Sequence, residues 1–318
     1  MKMLTILGPT ASGKTSLAVA VAARAGAEIV SADSRQVYRR MDIGTGKDLG
    51  DYQTGGGRVP CHLIDIAEPG AKYNLFQYQH DFLKVYRELQ ARGVTPILCG
   101  GTGLYIEAVL RGYRLAAVPE NKPLRAALAG KPLGELTAML ARLKAANGSV
   151  MHNTTDVDTA QRAIRAIEIE TFNGEHPAEA AALPPIPSVV VGVSIGRDER
   201  RRNISQRLRQ RLDSGMVDEV RALLGSGIAA EDLMYYGLEY RYVTEYVIGR
   251  RSYGDMVASL ETAIHQFAKR QMTWFRGMER RGIPIHWVDA SLPAEEKAGE
   301  VMRIWEESDR AQPPRASI

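Results

Sequence analysis

Short apolar runs alternate with longer amphipathic stretches through the first and last thirds of the chain. The runs predict buried strands, because they are four to eight residues long and rich in valine, isoleucine and leucine. They are Met3–Leu7, Ala27–Ser31, Thr95–Cys99 and Ser188–Ile195, with shorter candidates at His62–Asp65 and Ile285–Val288. Apolar residues at helical spacing separate the runs, as between Leu75 and Leu89. Strands that alternate with helices predict an α/β fold with a mostly parallel sheet flanked by helices.

The middle of the chain has a different pattern. Apolar positions at helical spacing predict two amphipathic helices, one around Leu133–Leu143 and one around Ala160–Ile167, and no convincing strand lies between Gly112 and Pro187. We therefore predict an α/β core formed by residues 1–112 and 188–307, with a helical subdomain inserted at 113–187. Such an insertion is typical of a lid or a partner-binding subdomain. Residues 308–318 are predicted to be a flexible tail.

Composition places the chain among ordinary globular proteins. It has 318 residues, of which 45% are hydrophobic and 25% charged, with a net charge of +4 and a sequence pI of about 9.0. This balance permits a polyanionic partner without requiring one. Cys61 and Cys99 are too few for a disulfide framework or a zinc site, which indicates a reducing compartment. No apolar run approaches the length of a membrane span, so we expect a cytoplasmic protein without a membrane partner.

The first strand leads directly into a phosphate-binding motif. The eight residues that follow Leu7 fit the P-loop pattern G-x-x-x-x-G-K-[ST], and they are Gly8, Pro9, Thr10, Ala11, Ser12, Gly13, Lys14 and Thr15. Glycines let backbone N–H groups turn toward phosphate oxygens, and the helix N-terminus adds positive potential. Lys14 can reach a terminal phosphate and the Thr15 hydroxyl can bind Mg²⁺. The motif predicts a phosphate-bearing ligand but not the reaction.

Polar residues follow two further strands, at the edge where open α/β sheets bind ligands. Asp33 comes after the second strand, where an aspartate serves either a functional site or the N-cap of a helix. Thr102 lies in a glycine-rich junction after Cys99, which is either a donor-lined loop or a tight turn shaped for packing.

Two later stretches carry chemistry that suits a nucleic acid. Six arginines crowd one predicted helix, and Arg207 and Arg211 share a face of it, which suits either anion binding or a solvated helix face. Tyrosines are interleaved with arginine between Tyr235 and Tyr242. This pattern suits either stacking on RNA bases or a tyrosine-rich packing surface.

The order of the motifs resembles the tRNA dimethylallyltransferase (tRNA isopentenyltransferase) family over most of the chain. The P-loop alone is shared by many families, whereas the stretches Asp33–Tyr38 and Lys269–Trp274 are far more specific. The segments that carry the resemblance are Gly8–Thr15, Asp33–Tyr38, Met41–Thr45, His62–Ile66, Gly100–Tyr105, Gln161–Glu168 and Ala268–Arg276.

The resemblance implies transfer of a dimethylallyl group from dimethylallyl diphosphate to N6 of the adenosine at tRNA position 37, next to the anticodon. It implies that Thr10 lies near the bridging oxygen of the diphosphate, that Asp33 is the general base, and that Arg211 helps to stabilise the leaving group. The whole P-loop would hold the diphosphate, with Mg²⁺ as cofactor on Thr15. The implied tRNA-binding residues are Asp33, Ser34, Arg35, Gln36, Thr102, Gln161, Arg162, Ala163, Ile164 and Arg165. We expect a monomer whose partners are the tRNA anticodon stem-loop and the prenyl donor.

The chain departs from the family pattern in two places. The family's Thr-Ala-Lys-Pro is Thr45-Gly46-Lys47-Asp48 here, and Gly237-Leu238-Glu239-Tyr240-Arg241 stands where the family often has Gly-Tyr-[Arg/Lys]. Three other functions remain compatible with the motifs: a P-loop small-molecule kinase, an adenylate isopentenyltransferase, and a non-catalytic RNA-binding protein that retains a P-loop.

Overall fold

The structure, a computed structural model, describes residues 2–148, 157–176 and 186–310. The chain divides into two compact units. Residues 1–111 and 185–318 form the first unit, and residues 112–184 form the second. The second unit has nearly the bounds of the predicted insertion at 113–187, and its role as a tRNA-contacting lid stays a prediction.

A six-stranded parallel sheet is the centre of the first unit, so the predicted fold class is confirmed. The strand order is β5-β2-β6-β1-β7-β8. In register, Ile6 of the first strand lies between Cys99 and Val191 of its two neighbours. The strands are β1 (Met3–Leu7), β2 (Glu28–Ser31), β5 (Cys61–His62), β6 (Pro96–Gly100), β7 (Ser188–Ser194) and β8 (His286–Asp289). A separate antiparallel pair is formed by β3 (Gln53–Thr54) and β4 (Gly57–Arg58), after a 3₁₀ turn at Leu49–Tyr52.

The helices of the first unit cover both faces of this sheet and extend beyond it. They are α1 (Lys14–Ala25), α2 (Leu75–Ala91), α3 (Gly103–Arg111), α7 (Arg197–Asp213), α8 (Met216–Gly225), α9 (Ala230–Tyr235), α10 (Leu238–Val247), α11 (Tyr253–Arg280) and α12 (Ala294–Arg310). Both faces of the strands are buried, which is why the strands read as continuous apolar runs rather than alternating ones.

Side chains that alternate along the strands divide the core of the first unit in two. Leu4 and Ile6 face a cluster that contains residues of α1 and α12, whereas Met3 and Leu7 face a cluster with residues of α2, α3 and α11. A third cluster joins α7 to α11 and includes Tyr240. The sheet is thus rigidly covered on both sides, and its carboxyl edge carries the loops described below.

The second unit is a small helical cluster with its own core. Its helices are α4 (Lys122–Leu128), α5 (Leu133–Ala146) and α6 (Ala160–Glu175). Leu128, Leu136, Leu140, Ala163 and Ile167 form the core. The two longer helices cover the stretches that the apolar spacing predicts.

The structure differs from the sequence prediction at two element ends. The strand predicted at His62–Asp65 covers only Cys61–His62, because Leu63 and Asp65 take left-handed backbone conformations with φ of 62° and 56°. The final helix continues to Arg310, three residues into the predicted tail. The Asp309 carboxylate accepts a hydrogen bond of 3.0 Å from the backbone N–H of Lys2, which ties this turn to the start of β1. The rest of the predicted tail, 311–318, lies outside the described residues.

Among the described helices, none has the combination of length and apolar content needed to cross a membrane.

Candidate active site

The loop between β1 and α1 has the backbone shape of a phosphate cradle. Ala11 and Gly13 adopt left-handed conformations with φ of 60° and 78°, and the Gly13 carbonyl begins the hydrogen bonding of α1. A Cβ on Gly8 would lie 2.6 Å from Ser12 Oγ, so the loop closes too tightly for a side chain there. Ser12 Oγ is buried and has no hydrogen-bond partner among the described residues. A buried hydroxyl without a partner is costly unless a ligand satisfies it, which supports the predicted phosphate site.

Three loops meet at the carboxyl edge of the sheet because β2, β6 and β1 are consecutive neighbours. The Thr102 backbone N–H donates to the Ala32 carbonyl at 3.1 Å, and Thr102 Oγ1 accepts from the Ser34 backbone N–H at 3.0 Å. A Cβ on Gly100 would lie 2.2 Å from the Ala32 oxygen, so the glycine allows the two loops to touch. The junction is therefore a packed turn that also brings Thr102 beside Ser34.

Asp33 lies at this edge but does not cap a helix, since the residues that follow it form turns. One carboxylate oxygen, Oδ1, accepts a 3.0 Å hydrogen bond from the Arg35 backbone N–H. No further hydrogen bond reaches this carboxylate from the part of the chain that the structure describes. Burial lowers the pKa of Lys14, while Cys99 and Asp33 act in the opposite direction, so Asp33 is near enough to interact with the P-loop lysine. A partly exposed carboxylate with a free oxygen is able to accept a proton.

Gln271 joins the P-loop to the loop after β6. Its Oε1 accepts a 2.8 Å hydrogen bond from the Thr10 backbone N–H, and its Nε2 donates to the Gly101 carbonyl at 2.9 Å. The residue lies on α11, in the specific Lys269–Trp274 stretch, and is only 7% exposed. Sequence reasoning used this stretch as a family signature but missed its structural role. A buried glutamine with both amide groups bonded fixes the relative position of two ligand-binding loops.

A cavity of about 780 Å³ opens beside the P-loop. Residues 11–16 line one side, and Arg207 and Arg211 of α7 line another, together with Asp48. Arg211 lies 3.7 Å from Asp48 and 3.9 Å from Glu239, measured between guanidinium nitrogen and carboxylate oxygen. Burial lowers the pKa of Arg211 and the nearby Arg207 adds to the shift. Arg211 thus lines the same cavity as the P-loop, and so does Arg207, the arginine four residues before it; that Arg211 binds the diphosphate stays a prediction.

Mg²⁺ fits the residues beside Thr15. Asp48 and Asp51 line the same cavity as Thr15 and supply hard oxygen ligands. Burial raises the pKa of Asp51, the neighbouring Asp48 raises it further, and Arg207 opposes the rise. In the described ranges no group of three or more His, Cys, Asp or Glu side chains is arranged to hold a metal. This donor set suits Mg²⁺, which keeps waters and substrate phosphates among its ligands.

The residues after Asp33 mainly connect loops in this structure. Arg35 Nη1 donates to the Tyr235 carbonyl at 3.2 Å, with its guanidinium 5.9 Å from the centre of the Tyr235 ring. Gln36 accepts from Ser31 Oγ at 3.1 Å and donates to the Gly46 carbonyl at 3.0 Å. That Ser34, Arg35 and Gln36 bind tRNA stays a prediction.

The tyrosine-rich stretch is chiefly a packing surface. Tyr236 and Tyr240 are each 1% exposed, and Tyr236 packs against Tyr38 with ring centroids 4.4 Å apart. Tyr240 Oη donates to Glu219 at 2.6 Å. Tyr235 differs because it is 52% exposed, so its ring remains accessible to a ligand.

Lys47, in the segment that departs from the family pattern, has a structural role. Its side chain is fully buried, and Nζ donates to the Tyr38 carbonyl at 2.6 Å and to the carboxylates of Asp42 and Asp65. A buried ammonium with three acceptors is satisfied, so Lys47 holds its loop and is not available to a ligand.

The predicted tRNA residues of the second unit have unequal exposure. Gln161 and Arg162 are exposed on α6, and Ile164 is half-buried. Arg165 donates to the Val118 carbonyl at 2.9 Å and to the buried Glu168, so part of its guanidinium is already used. Ala163 is fully buried in the core of this unit. The prediction that Ala163 contacts tRNA is corrected accordingly, because its side chain has no exposed surface.

Comparison with known proteins places the chain in a family. A family model described as IPP transferase matches residues 36–278, and one described as isopentenyl transferase matches residues 1–60. A tRNA dimethylallyltransferase of Parabacteroides distasonis is 60% identical over 303 residues, which cover 95% of this chain and 97% of that protein. A relative of the same name from Porphyromonas gingivalis is 61% identical over 303 residues, with 95% and 99% coverage.

Solved structures of similar proteins have the same fold as this chain. A full-length tRNA isopentenylpyrophosphate transferase of Bacillus halodurans has a TM-score of 0.68 at 29% identity and covers 97% of this chain and 98% of its own. A eukaryotic dimethylallyltransferase acting on tRNA has a TM-score of 0.75 at 18% identity, with coverage of 99% and 81%, which shows the shared fold. The family-model match over most of the chain and relatives that are about 60% identical across 95% of it show that the chain belongs to the IPP transferase family, the tRNA dimethylallyltransferases.

Proposed function

We propose that this chain transfers a dimethylallyl group from dimethylallyl diphosphate to N6 of the adenosine at tRNA position 37, giving N6-(dimethylallyl)adenosine. The observation that carries the proposal is the meeting, at one sheet edge, of a phosphate cradle with a carboxylate that has a free oxygen. The first group suits a diphosphate leaving group, and the second suits an amine that must lose a proton.

The donor half of the reaction needs stabilisation of a departing diphosphate. When the carbon–oxygen bond breaks, negative charge accumulates on the leaving oxygens. P-loop N–H groups, Lys14, Arg211 and the Thr10 hydroxyl can all donate hydrogen bonds to that charge, and such preorganised donors are usually the largest catalytic contribution. When bound at Thr15, Mg²⁺ would neutralise part of the same charge.

The acceptor half needs a base. The N6 lone pair of adenine forms the new bond to the prenyl carbon while the diphosphate leaves with the electrons of the broken bond. The amine then carries an extra proton, which the Asp33 carboxylate accepts as the bond forms. Lys14 and Asp33 interact electrostatically across the site, which supports their working on one reaction centre.

The tRNA must present its base out of the anticodon-loop stack, which costs least in a single-stranded loop. Three candidates for tRNA binding follow Asp33 directly in the chain: Ser34, Arg35 and Gln36. Thr102 lies beside them, because its hydroxyl accepts a hydrogen bond from the Ser34 N–H. We propose that these four residues bind the nucleotides around the target adenosine. Gln161, Arg162 and Arg165 would contact the tRNA from the second unit. We propose that the enzyme acts as a monomer in the cytoplasm, where its tRNA substrate resides.

The test is incubation of the purified protein with labelled dimethylallyl diphosphate and bulk tRNA, followed by digestion to nucleosides. We expect label in prenylated adenosine, competition by inorganic diphosphate, and no tRNA-stimulated ATP hydrolysis. Lys14→Ala should lower the single-turnover rate by roughly 10²–10³, as for loss of one strong donor to developing charge. Lys84→Ala, an exposed lysine on α2, is the matched control and should leave the rate unchanged.

Two other outcomes would replace the proposal. Stoichiometric ADP release without prenylated nucleoside would identify a P-loop kinase. Label in free adenylate with none in tRNA would identify an adenylate isopentenyltransferase.

A further inference from the structure

Arg211 is a buried cation with unusually little protein bonding. Its side chain is 14% exposed, and Nε is buried without a hydrogen-bond partner. Its guanidinium makes no hydrogen bond to any residue that the structure describes. The nearest carboxylate oxygens, of Asp48 and Glu239, lie 3.7 and 3.9 Å away, which is close enough to balance charge but too far to use the donors. The N–H groups of Arg211 therefore remain for an anion in the cavity.

The backbone at Gly46 supplies the space for this guanidinium. Gly46 has a φ of +63°, and a Cβ placed on it would lie 1.6 Å from Nη2 of Arg211. A side chain at this position would occupy the space of the arginine itself. The glycine is therefore required twice, for its backbone conformation and for the close approach.

Two acidic residues supply negative charge near the Arg211 guanidinium. Asp48 follows Gly46 by two residues and pairs with both Arg207 and Arg211. Glu239 lies in the first turn of α10, 3.9 Å from Arg211, with a side chain 22% exposed. Burial raises the pKa of Glu239 and Arg211 opposes that rise, so the two groups favour each other's charged forms.

The three residues around Arg211 lie in the two stretches where the chain departs from the family pattern. Gly46 and Asp48 belong to Thr45–Asp48, and Glu239 belongs to Gly237–Arg241. One is small and two are acidic, which are the properties that a buried arginine needs from its neighbours. Because Glu239 is far along the chain from Gly46 and Asp48, the approach of all three to one guanidinium depends on the tertiary structure and cannot be read from either sequence motif.

We propose that Gly46, Asp48 and Glu239 together hold the Arg211 side chain in position. In this arrangement Glu239 is the positioning residue that directs the guanidinium toward the diphosphate of the prenyl donor. This inference rests on the proposed function in that the cavity takes a diphosphate. Glu239 acts through Arg211 and does not touch the substrate.

The direction of the change in diphosphate affinity distinguishes a positioning role of Glu239 from a purely electrostatic effect of its charge. A carboxylate near an anion site repels the anion, so replacing Glu239 by glutamine would tighten diphosphate binding if the residue acted only by charge. If it positions Arg211, the same replacement weakens binding, and only while the arginine is present.

The test is a double-mutant cycle on the full chain, with inorganic diphosphate and Mg²⁺ as the titrated probe in calorimetry. We expect Glu239→Gln to weaken diphosphate binding by about tenfold, which is about 1.4 kcal/mol. In an Arg211→Met background the same change should alter the affinity by less than about twofold, because non-additivity marks residues that act together. KM for tRNA should not change. Unchanged or tighter binding in Glu239→Gln, or an equal loss in both backgrounds, would overturn the proposal.

Gly46→Ala is an independent probe, since the added methyl group occupies the position of Nη2. We expect it to weaken diphosphate binding at least tenfold, and to have little further effect when combined with Arg211→Ala. Gly249→Ala is the matched control because that exposed glycine also has positive φ, +76°, and an added Cβ there meets nothing. It should reproduce the backbone strain without the loss of binding, and melting temperatures check that each variant folds. Equal diphosphate affinity of the two glycine variants would contradict the proposal.

The binding readout separates this inference from the proposed function. If the wild-type protein forms prenylated adenosine but the substitutions at 239 and 211 have additive effects on diphosphate affinity, the proposed function is supported and the positioning role of Glu239 is refuted. If the two substitutions are non-additive in diphosphate affinity but no prenylated adenosine forms, the positioning role is supported and the proposed function is refuted.

Discussion

Replacing Gln271 by leucine tests whether a buried amide holds the diphosphate site in shape. The wild-type side chain accepts from the Thr10 N–H at 2.8 Å and donates to the Gly101 carbonyl at 2.9 Å. Leucine is similar in size but bonds to neither group, so both backbone groups lose their side-chain partner. The bond to Gly101 is buried and the bond to Thr10 is partly exposed.

The magnitude follows from that difference in exposure. A buried polar group left without a partner costs about 1–3 kcal/mol, so the Gly101 carbonyl contributes most and the Thr10 N–H, which water can reach, contributes less. We expect a fall of about 2–4 kcal/mol in the free energy of unfolding. Because Thr10 would no longer be held in place, we also expect a fall of roughly 10² in the single-turnover rate, the size of effect that a shift of about 1 Å produces.

Urea denaturation measures the first quantity, and single-turnover prenyl transfer with inorganic diphosphate binding measures the second. Gln271→Glu should be at least as damaging as Gln271→Leu, because its carboxylate accepts from Thr10 but places a buried negative charge against the Gly101 carbonyl. Gln266→Leu, an exposed position on the same helix, is the control. A Gln271→Leu protein with wild-type rate and diphosphate affinity would refute the idea that this amide positions the P-loop.

The remaining predictions concern the base, the second unit and its pH dependence. Asp33→Asn should keep tRNA affinity within a few fold and lower single-turnover transfer by roughly 10²–10⁴, as for loss of a general base, and near-wild-type turnover would exclude that role. Arg162→Gln should lower the slope of log affinity for tRNA against log salt by about one unit, whereas Arg142→Gln on α5 should leave the slope as it is. Burial alone would raise the pKa of Glu168, but hydrogen bonds from Arg125, the Asn121 N–H and Arg165 lower it to about 2. A depressed carboxyl pKa stabilises the fold above its unfolded value, so stability should fall as the pH drops from about 4.5 toward 2, and Glu168→Gln should remove this component in acid denaturation followed by circular dichroism.

Local sequence determined the elements of this protein and the nature of its phosphate site. The apolar runs predicted β1, β2, β6 and β7 to within about a residue at each end, because a strand buried on both faces must be apolar along its whole length. The P-loop was also readable, since its eight residues are consecutive and their function depends on local backbone geometry. The short edge strand β5 was predicted too long, because Leu63 and Asp65 adopt left-handed conformations although neither is a glycine that would have indicated a turn.

The order of the strands and the contacts between loops were decided only by the tertiary structure. Sequence spacing indicated that Asp33 and Thr102 follow strands, but only the order β2-β6-β1 brings them beside the P-loop. The bond from Gln271 to Thr10 joins residues 261 positions apart, and Arg211 meets Gly46 and Glu239 from three separate segments. Helical spacing likewise left open which way Ala163 faces, and the packing of α5 on α6 decided that it is buried. Periodicity reports which face of an element is apolar, whereas partners across the chain are selected by packing and charge between elements that the sequence does not list together.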